Sequence, residues 1–540
     1  MAETLIKIDL SKSPKEHDII HNRWHPDVPM VATVKPGDDF IIECMDWTGG
    51  QIENNDSADD VRDVDLSKVH YLSGPVAVEG AEPGDLMVVD ILDIGAFADQ
   101  MWGFNGVFAK ENGGGFLTEH FPEARKTIWD FNGIYTKSRH IPGVEFIGLM
   151  HPGLIGCLPS QELLDEWNKR EQALIDTDPD RVPGLANPPY APTAHVGRAT
   201  GDVAAKIANE GARTVPPREH GGNCDIKDLT KGSRVFFPVY VKGGGLSMGD
   251  LHFSQGDGEI TFCGAIEMAG WIHIRVNLIK DGVKKYGVKN PIFQPSDMAP
   301  SYKKHLIFEG ISVDENGKQH YLDAHVAYRQ ACLNAIEYLK KFGFSGAQAY
   351  SLLGTAPVQG HISGIVDVPN VCATLWIPTE IFDFDIMPNA DGPVISVNSP
   401  EVPTSKWKKK PRRVAAAFLV RRPLFGRTLR EHSMPLYDFD CPQCGAFEAL
   451  LPSAERNLPR DCPACGQAMQ RLISAPRLQV LSSHQRTAHE TNERSAHQPR
   501  VSQGHSCCSG KTCTHKPREE GQPPVLKQQS GPRRPWMISH

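Results

Sequence analysis

The most regular hydrophobic pattern in the chain is a stripe of Ala324, Ala327, Tyr328, Ala331, Cys332, Ala335, Ile336 and Leu339. Its three- and four-residue spacing predicts a helix over 322–342, with Lys340 and Lys341 in the last turn and Gly343 as the stop. A second helix is expected over 345–353. A third is expected over 160–174, capped by Ser160 and carrying Leu163, Leu164, Trp167 and Leu174 at helical spacing. The remaining apolar runs are short and β-rich. Residues 30–38 lead into 40–44, and 76–85 lead into 86–91, each with a Pro-Gly-Asp turn between two strands. Further strands are expected over 235–241 and 259–267, and 362–377 is strand-like. Strands segregated from helices, rather than alternating with them, predict an α+β class that is mainly β, with a β-sandwich-like body. Two stretches break the pattern. Residues 101–152, rich in glycine with Trp102, Phe104, Phe108, Phe116 and Trp129, are expected to form irregular, well-packed loops. Residues 178–224 carry seven prolines and are expected to be loop-rich, as a lid or an oligomer contact.

Charge divides the chain. Residues 1–400 carry 34 Lys and Arg against 54 Asp and Glu, whereas 401–433 carry 10 against 2, so the overall net charge of −8 hides an acidic body and a basic join. At 540 residues, two or three units are expected. No basic segment followed by an apolar one opens the chain, and the apolar run 415–420 is too short to cross a bilayer, so a cytoplasmic protein without membrane contact is expected. Thirteen cysteines are split the same way. Six are scattered over the body, as reduced thiols would be, and seven crowd into 441–513, as metal ligands would.

The densest chemistry lies in 249–259, where Asp250, His252, Gln255, Asp257 and Glu259 fall within eleven residues. Alternation along a strand puts Asp250 and His252 on one face, and Gly256 and Gly258 allow a turn that leaves Asp257 and Glu259 beside it. Glu267 closes the next strand. Just upstream, Gly221-Gly222-Asn223-Cys224-Asp225 is a second polar concentration in which glycines permit close approach of backbone to a small ligand. The acidic loop 54–60 reads as solvated, with calcium as the alternative. His70 falls beside the strand that follows, and His151, standing alone, reads as a surface or satisfied core residue.

Arg23-Trp24-His25-Pro26, Gly80-Ala81-Glu82-Pro83-Gly84-Asp85, Gly221 to Asp225 and Gly249 to Glu259 together resemble the acetamidase/formamidase family, formamidase branch, over residues 1–405. The resemblance implies hydrolysis of formamide or another short aliphatic amide to a carboxylate and ammonia, by a cytoplasmic homo-oligomer of mainly β fold associated with a divalent metal. Amide hydrolysis needs a polarised carbonyl, an activated water and a proton for the departing amine. Asp225, Asp250 and His252 are candidates to hold zinc or calcium with a position open for water. Glu259, Glu267 and Asp257 are candidates to move the proton, and Asn223 and Gln255 to touch the substrate. Two alternatives stay open: a Cys224 nucleophile, and a purely structural use of Asp250, Asp257 and His252 around the turn.

Residues 406–433 form a basic, proline-broken linker, read as solvated; nucleic acid is not expected at the body and has no support beyond charge at the linker or the unit after it. Cys441-Pro442-Gln443-Cys444-Gly445 and Cys462-Pro463-Ala464-Cys465-Gly466, with seventeen residues between them, form two knuckles of a four-thiolate zinc site. Residues 434–475 resemble FmdB-type regulatory zinc-ribbon proteins, which are usually separate chains. Met434 then reads as an embedded start, and the whole as a gene fusion or read-through product. A regulatory zinc-ribbon protein with a non-catalytic amidase-like body is the alternative function. Residues 476–540, poor in apolar side chains, are expected to be disordered, with a Cys/His cluster over 505–515 open between metal binding and an oxidisable tail.

Overall fold

The computed structural model describes residues 2–177, 189–398, 400–405, 436–442, 445–450, 460–462, 465 and 467–472. The chain divides into two compact units, Met1–Pro411 and Arg412–His540.

Two large sheets build the core of the first unit. A six-stranded sheet runs Glu3–Ile6, Asp39–Cys44, Gly270–Ile279, Leu86–Ala96, Arg234–Pro238, Ile292–Gln294. Its spine is the antiparallel pairing of Gly270–Ile279 with Leu86–Ala96. A twelve-stranded sheet carries Phe262–Met268, Leu246–His252 and His151–Gly156 side by side near its middle, with Leu72–Val78 paired to Leu246–His252 by a second route. Ile42, Val89, Ile272 and Ile274 of the first sheet and Val76, Met248, Leu251 and Ile266 of the second belong to one buried cluster. Burial of such side chains, each contributing about 1.5–3 kcal/mol, makes the mainly β, sandwich-like body.

Helices are segregated, as the pattern predicts. Ala324–Lys340 is capped by Asp323, whose carboxylate accepts the Val326 N–H, and Ala327, Ala331, Cys332, Ala335, Ile336 and Leu339 are its buried face. That face lies on a three-stranded sheet of His305–Ile311, Cys372–Pro378 and Gln359–Gly364, so the strand-like stretch 362–377 is two strands and a turn. Gly346–Thr355 opens on a capping box in which Ser345 and Gln348 each accept the other's backbone N–H. Among the described residues, no helix is long and apolar enough to cross a membrane.

Three expectations need correction. Residues 101–152 are mostly strand: Trp102–Val107, Arg125–Asn132, Tyr135–Ser138 and Ile141–Ile147 pair in succession within the large sheet. Their glycines serve close strand approach, since a Cβ on Gly103 would meet the Glu267 carbonyl oxygen at 2.6 Å. The described part of 178–224 holds the helix Gly201–Glu210 and three short strands. The strand expected from 259 begins at Phe262, because Glu259 turns the chain with φ +46°. As for a cation in the acidic loop, its place is taken by the Lys126 ammonium. Lys126 is fully buried and donates to Glu53 O, Asn55 Oδ1 and Asp60 Oδ2 at 3.0, 2.9 and 2.6 Å.

In the second unit, Leu436–Cys441 pairs antiparallel with Gly445–Leu450, and Arg460–Asp461 with Ala468–Leu472. Cys441 therefore ends one paired strand, and Cys462 follows another. Cys441 lies opposite Gly445, and the Cys462 N–H donates to Gln467 O. Cys444, the linker and the tail lie outside the described residues.

Candidate active site

Sheet register assembles the site from segments far apart in sequence. His252 lies opposite His151 on one side and opposite Glu267 on the other. Gly221–Asn223 pairs with Leu154 to Gly156 and delivers Asn223, Cys224 and Asp225 to the same place. Asp250 adopts φ +54°, an uncommon conformation for a non-glycine residue, and its carboxylate stands beside the His252 ring.

Ligand-type atoms of Asp225, Asp250 and His252 lie within 4.8 Å of one another. His252 Nε2 is 3.2 Å from Asp250 Oδ1 and 3.0 Å from Glu267 Oε2. Neither approach has hydrogen-bond geometry. His252 Nε2, Asp250 Oδ1, Glu267 Oε2 and Asp225 Oδ1 are all buried without a hydrogen-bond partner. Leaving such atoms unmet costs about 1–3 kcal/mol each, more for charged groups, so their convergence marks a place for something that satisfies several at once.

The far side of the ring shows which nitrogen faces that place. Gln255 Nε2 donates to the Asp225 backbone carbonyl at 2.8 Å, which turns Gln255 Oε1 toward His252 Nδ1, 3.0 Å away. Nδ1 therefore carries the hydrogen in a neutral ring, and Nε2 presents its lone pair to the carboxylates. His151 donates through Nδ1 to Leu149 O, and burial holds its pKa down at about 3, so its neutral Nε2 is a second acceptor 3.2 Å from His252 Nδ1.

Four carboxyls share this buried volume. Burial, reinforced by Asp250, pushes Asp225 up to about 7, and burial pushes Glu267 up to about 7. Burial, then Asp225 and Glu267, raises Glu259 well above the usual carboxylate range. Burial opposes charge on His252 as well, but Glu267 and Asp250 outweigh it and raise that imidazole. Such crowding of like charge is relieved by a bound cation. Two or three carboxylate oxygens and one imidazole nitrogen are a donor set that fits a zinc-like ion. Gly153 keeps the space clear: a Cβ there would meet His252 Cε1 at 2.4 Å and Asp225 Oδ1 at 2.8 Å.

The cluster opens into a cavity of about 490 Å³ whose lining includes Asn223, Cys224, Asp225, Asp250, Gln255, Glu259 and Glu267. Of these, Asn223 Oδ1 is buried and unpartnered, while Gln255 spends both ends of its amide on Asp225 and His252. Asp257 is not brought there. Its carboxylate pairs with Lys227 at 2.7 Å and accepts the Gly360 N–H at 2.9 Å, which ties the turn to the neighbouring sheet. Burial pushes the Cys224 thiol up to about 12, away from the thiolate a nucleophile needs.

Sequence reasoning named His70 and His151 but assigned neither to the site. His70 stacks on Trp47 at 4.8 Å and puts Nε2 3.7 Å from Asp250 Oδ2. The apolar wall of Trp47, Phe116, Val215 and Phe262 was equally unmarked. Each comes from a separate segment of the chain.

Comparison with known proteins gives two family matches. Residues 434–473 match the zinc ribbon domain, and residues 7–384 match the Acetamidase/Formamidase family. The formamidase of Methylophilus methylotrophus is 77% identical over 396 residues, covering 73% of this chain and 97% of that protein. The acetamidase of Mycolicibacterium smegmatis is 60% identical over 370 residues, covering 67% of this chain and 91% of that protein. The FmdB protein of Methylophilus methylotrophus is 42% identical over 112 residues, 20% of this chain and all of that protein. Among solved structures, a gamma lactamase from Delftia acidovorans superposes with a TM-score of 0.74 at 72% identity, covering 75% of this chain and all of that one. With the site's geometry and a family match over most of its length, the chain belongs to the acetamidase/formamidase family, with a zinc ribbon domain after it.

Proposed function

We propose that residues 1–405 hydrolyse formamide, or another short linear amide, to the carboxylate and ammonia, with a divalent metal held by Asp225, Asp250 and His252. The observation that carries this reading is the convergence of buried, unpartnered ligand atoms on one cavity. A bound ion supplies carbonyl polarisation and an acidified water. The protein's own groups do the rest. Asn223 Oδ1, buried and unpartnered at the wall, is placed to accept an N–H of the amide. Glu267 is the better placed proton carrier, because its Oε2 is free of hydrogen bonds while Glu259 Oε1 accepts the Gly264 N–H at 3.2 Å. Glu267 takes the water proton and returns it to the departing nitrogen, and Glu259 stands beside Asp225. Gln255 and His151 hold the His252 ring.

A small amide is the substrate, and a cytoplasmic homo-oligomer is part of the same reading. Exposed Ile362, Ile365, Val366 and Val368 beside the three-stranded sheet support a covered face. Cys441, Cys444, Cys462 and Cys465 hold zinc in the ribbon. A cavity of about 490 Å³ with an apolar wall of Trp47, Phe116, Val215 and Phe262 is far roomier than formamide requires, which favours larger amides, five-membered lactams included, as secondary substrates. Ammonia release by residues 1–405 from formamide and acetamide, and methylamine release from N-methylformamide, beside ring opening of a γ-lactam, separate these readings. Formamide is expected to turn over faster than acetamide, and no turnover of any amide would remove the amidase reading.

A further inference from the structure

Glu267 lines two cavities. On one side is the active-site cavity; on the other is a second one of about 290 Å³, lined also by Asp46, Trp102 and Ala269 and reaching solvent past Leu10 and Lys12. Glu267 itself is 1% exposed and stands between them. The strand pairing explains the arrangement. Phe262–Met268 ends at this point, so the chain turns from the active-site cavity at Glu267 to the second cavity at Met268 and Ala269.

We propose that the second cavity is the exit for the amine product, with Glu267 as the gate. This rests on the amidase reading. In the hydrolysis, the water oxygen bonds to the carbonyl carbon, the C–N bond breaks, and the nitrogen takes its proton from Glu267, which has received one from the water. The nitrogen is thus released at the side chain that partitions the two cavities. The acid product still carries the second water proton, and passing it to the freed amine leaves the carboxylate as an anion. The amine becomes an ammonium, and the second cavity suits it: Asp46 and Glu53 line it with one cation, Lys12, which is already paired with Asp9 at 3.5 Å. Its volume is several times the roughly 30 Å³ share of one water, enough for ammonium or methylammonium with part of its hydration.

The test plugs the cavity without touching the active site. Leu10→Trp acts at the rim, where the side chain is 39% exposed and folding is not at stake, and Ala269→Phe acts from the floor. In the full chain, both variants are expected to lower kcat for formamide by at least about threefold while kcat/KM stays within about twofold, because release follows the committed step. A pre-steady-state burst of carboxylate should appear, and N-methylformamide, whose leaving amine is larger, should suffer more. An active wild type whose plugged variants keep their kcat on both amides overturns the exit route alone, as does a fall confined to kcat/KM, which would make the cavity a way in. A wild type that releases no amine from either amide overturns the amidase reading and this route with it.

Discussion

His252 is fixed on one edge and left open on the other, and that asymmetry defines the site. Gln255 Oε1 and His151 Nε2 face Nδ1, so Nε2 points without a partner toward Asp250, Asp225 and Glu267. Asp250→Ala and His252→Ala should therefore each lower turnover by at least about a hundredfold in a folded protein, while Cys224→Ala stays active; ammonia release beside a circular-dichroism spectrum checks this. Gln255→Leu removes the hydrogen bond that sets the tautomer but no ligand, and should weaken metal affinity by about 10- to 100-fold, read by competition with a chelating dye. At this scale the sequence was partly legible. Asp250 and His252 could be paired because strand alternation is local, whereas Asp257, equally polar and equally close in sequence, is spent on Lys227 and Gly360. His70 and His151 meet the site only through register between distant strands, which no local pattern encodes.

A helix with one buried face was read well, whereas two strands buried on both faces were not. The stripe on Ala324–Lys340 repeats at helical period because the other face meets solvent. Trp102–Val107 and Arg125–Asn132 have no such alternation: Lys126, Thr127, Ile128 and Trp129 are buried in succession, so glycine and aromatic content looked like loop. Contact between elements can be close enough to exclude a methyl group. A Cβ on Gly310 would lie 2.1 Å from Ala327 O and 2.3 Å from Ala331 N, where Ala324–Lys340 crosses its sheet. Gly310→Ala should destabilise the body by about 1–3 kcal/mol or more, seen as a lowered urea midpoint, since backbone on both sides must shift. An unchanged midpoint would mean that helix and strand are not in direct contact there.

The whole molecule joins two compact units that known relatives carry separately. The Delftia gamma lactamase is matched over its full length by 75% of this chain, and FmdB of Methylophilus methylotrophus is matched in full over 112 residues. The ribbon was legible in sequence because its ligand spacing is local, and residues 406–433, across the join, carry ten Lys and Arg. Trypsin should therefore cut first in 406–433, releasing an active amidase and a zinc-bearing fragment; a body that loses its activity on release would show the two units to be functionally coupled. Because the zinc ribbon offers four cysteines of its own to a metal, the amidase centre is tested on residues 1–405 alone. Stripped with a chelator, residues 1–405 should lose at least about a hundredfold in ammonia release from formamide. Activity should return as metal is added back and level off at about one ion per chain, with Asp250→Ala neither binding nor recovering. Full ammonia release from protein holding less than about one ion per ten chains would contradict a metal site at Asp225, Asp250 and His252.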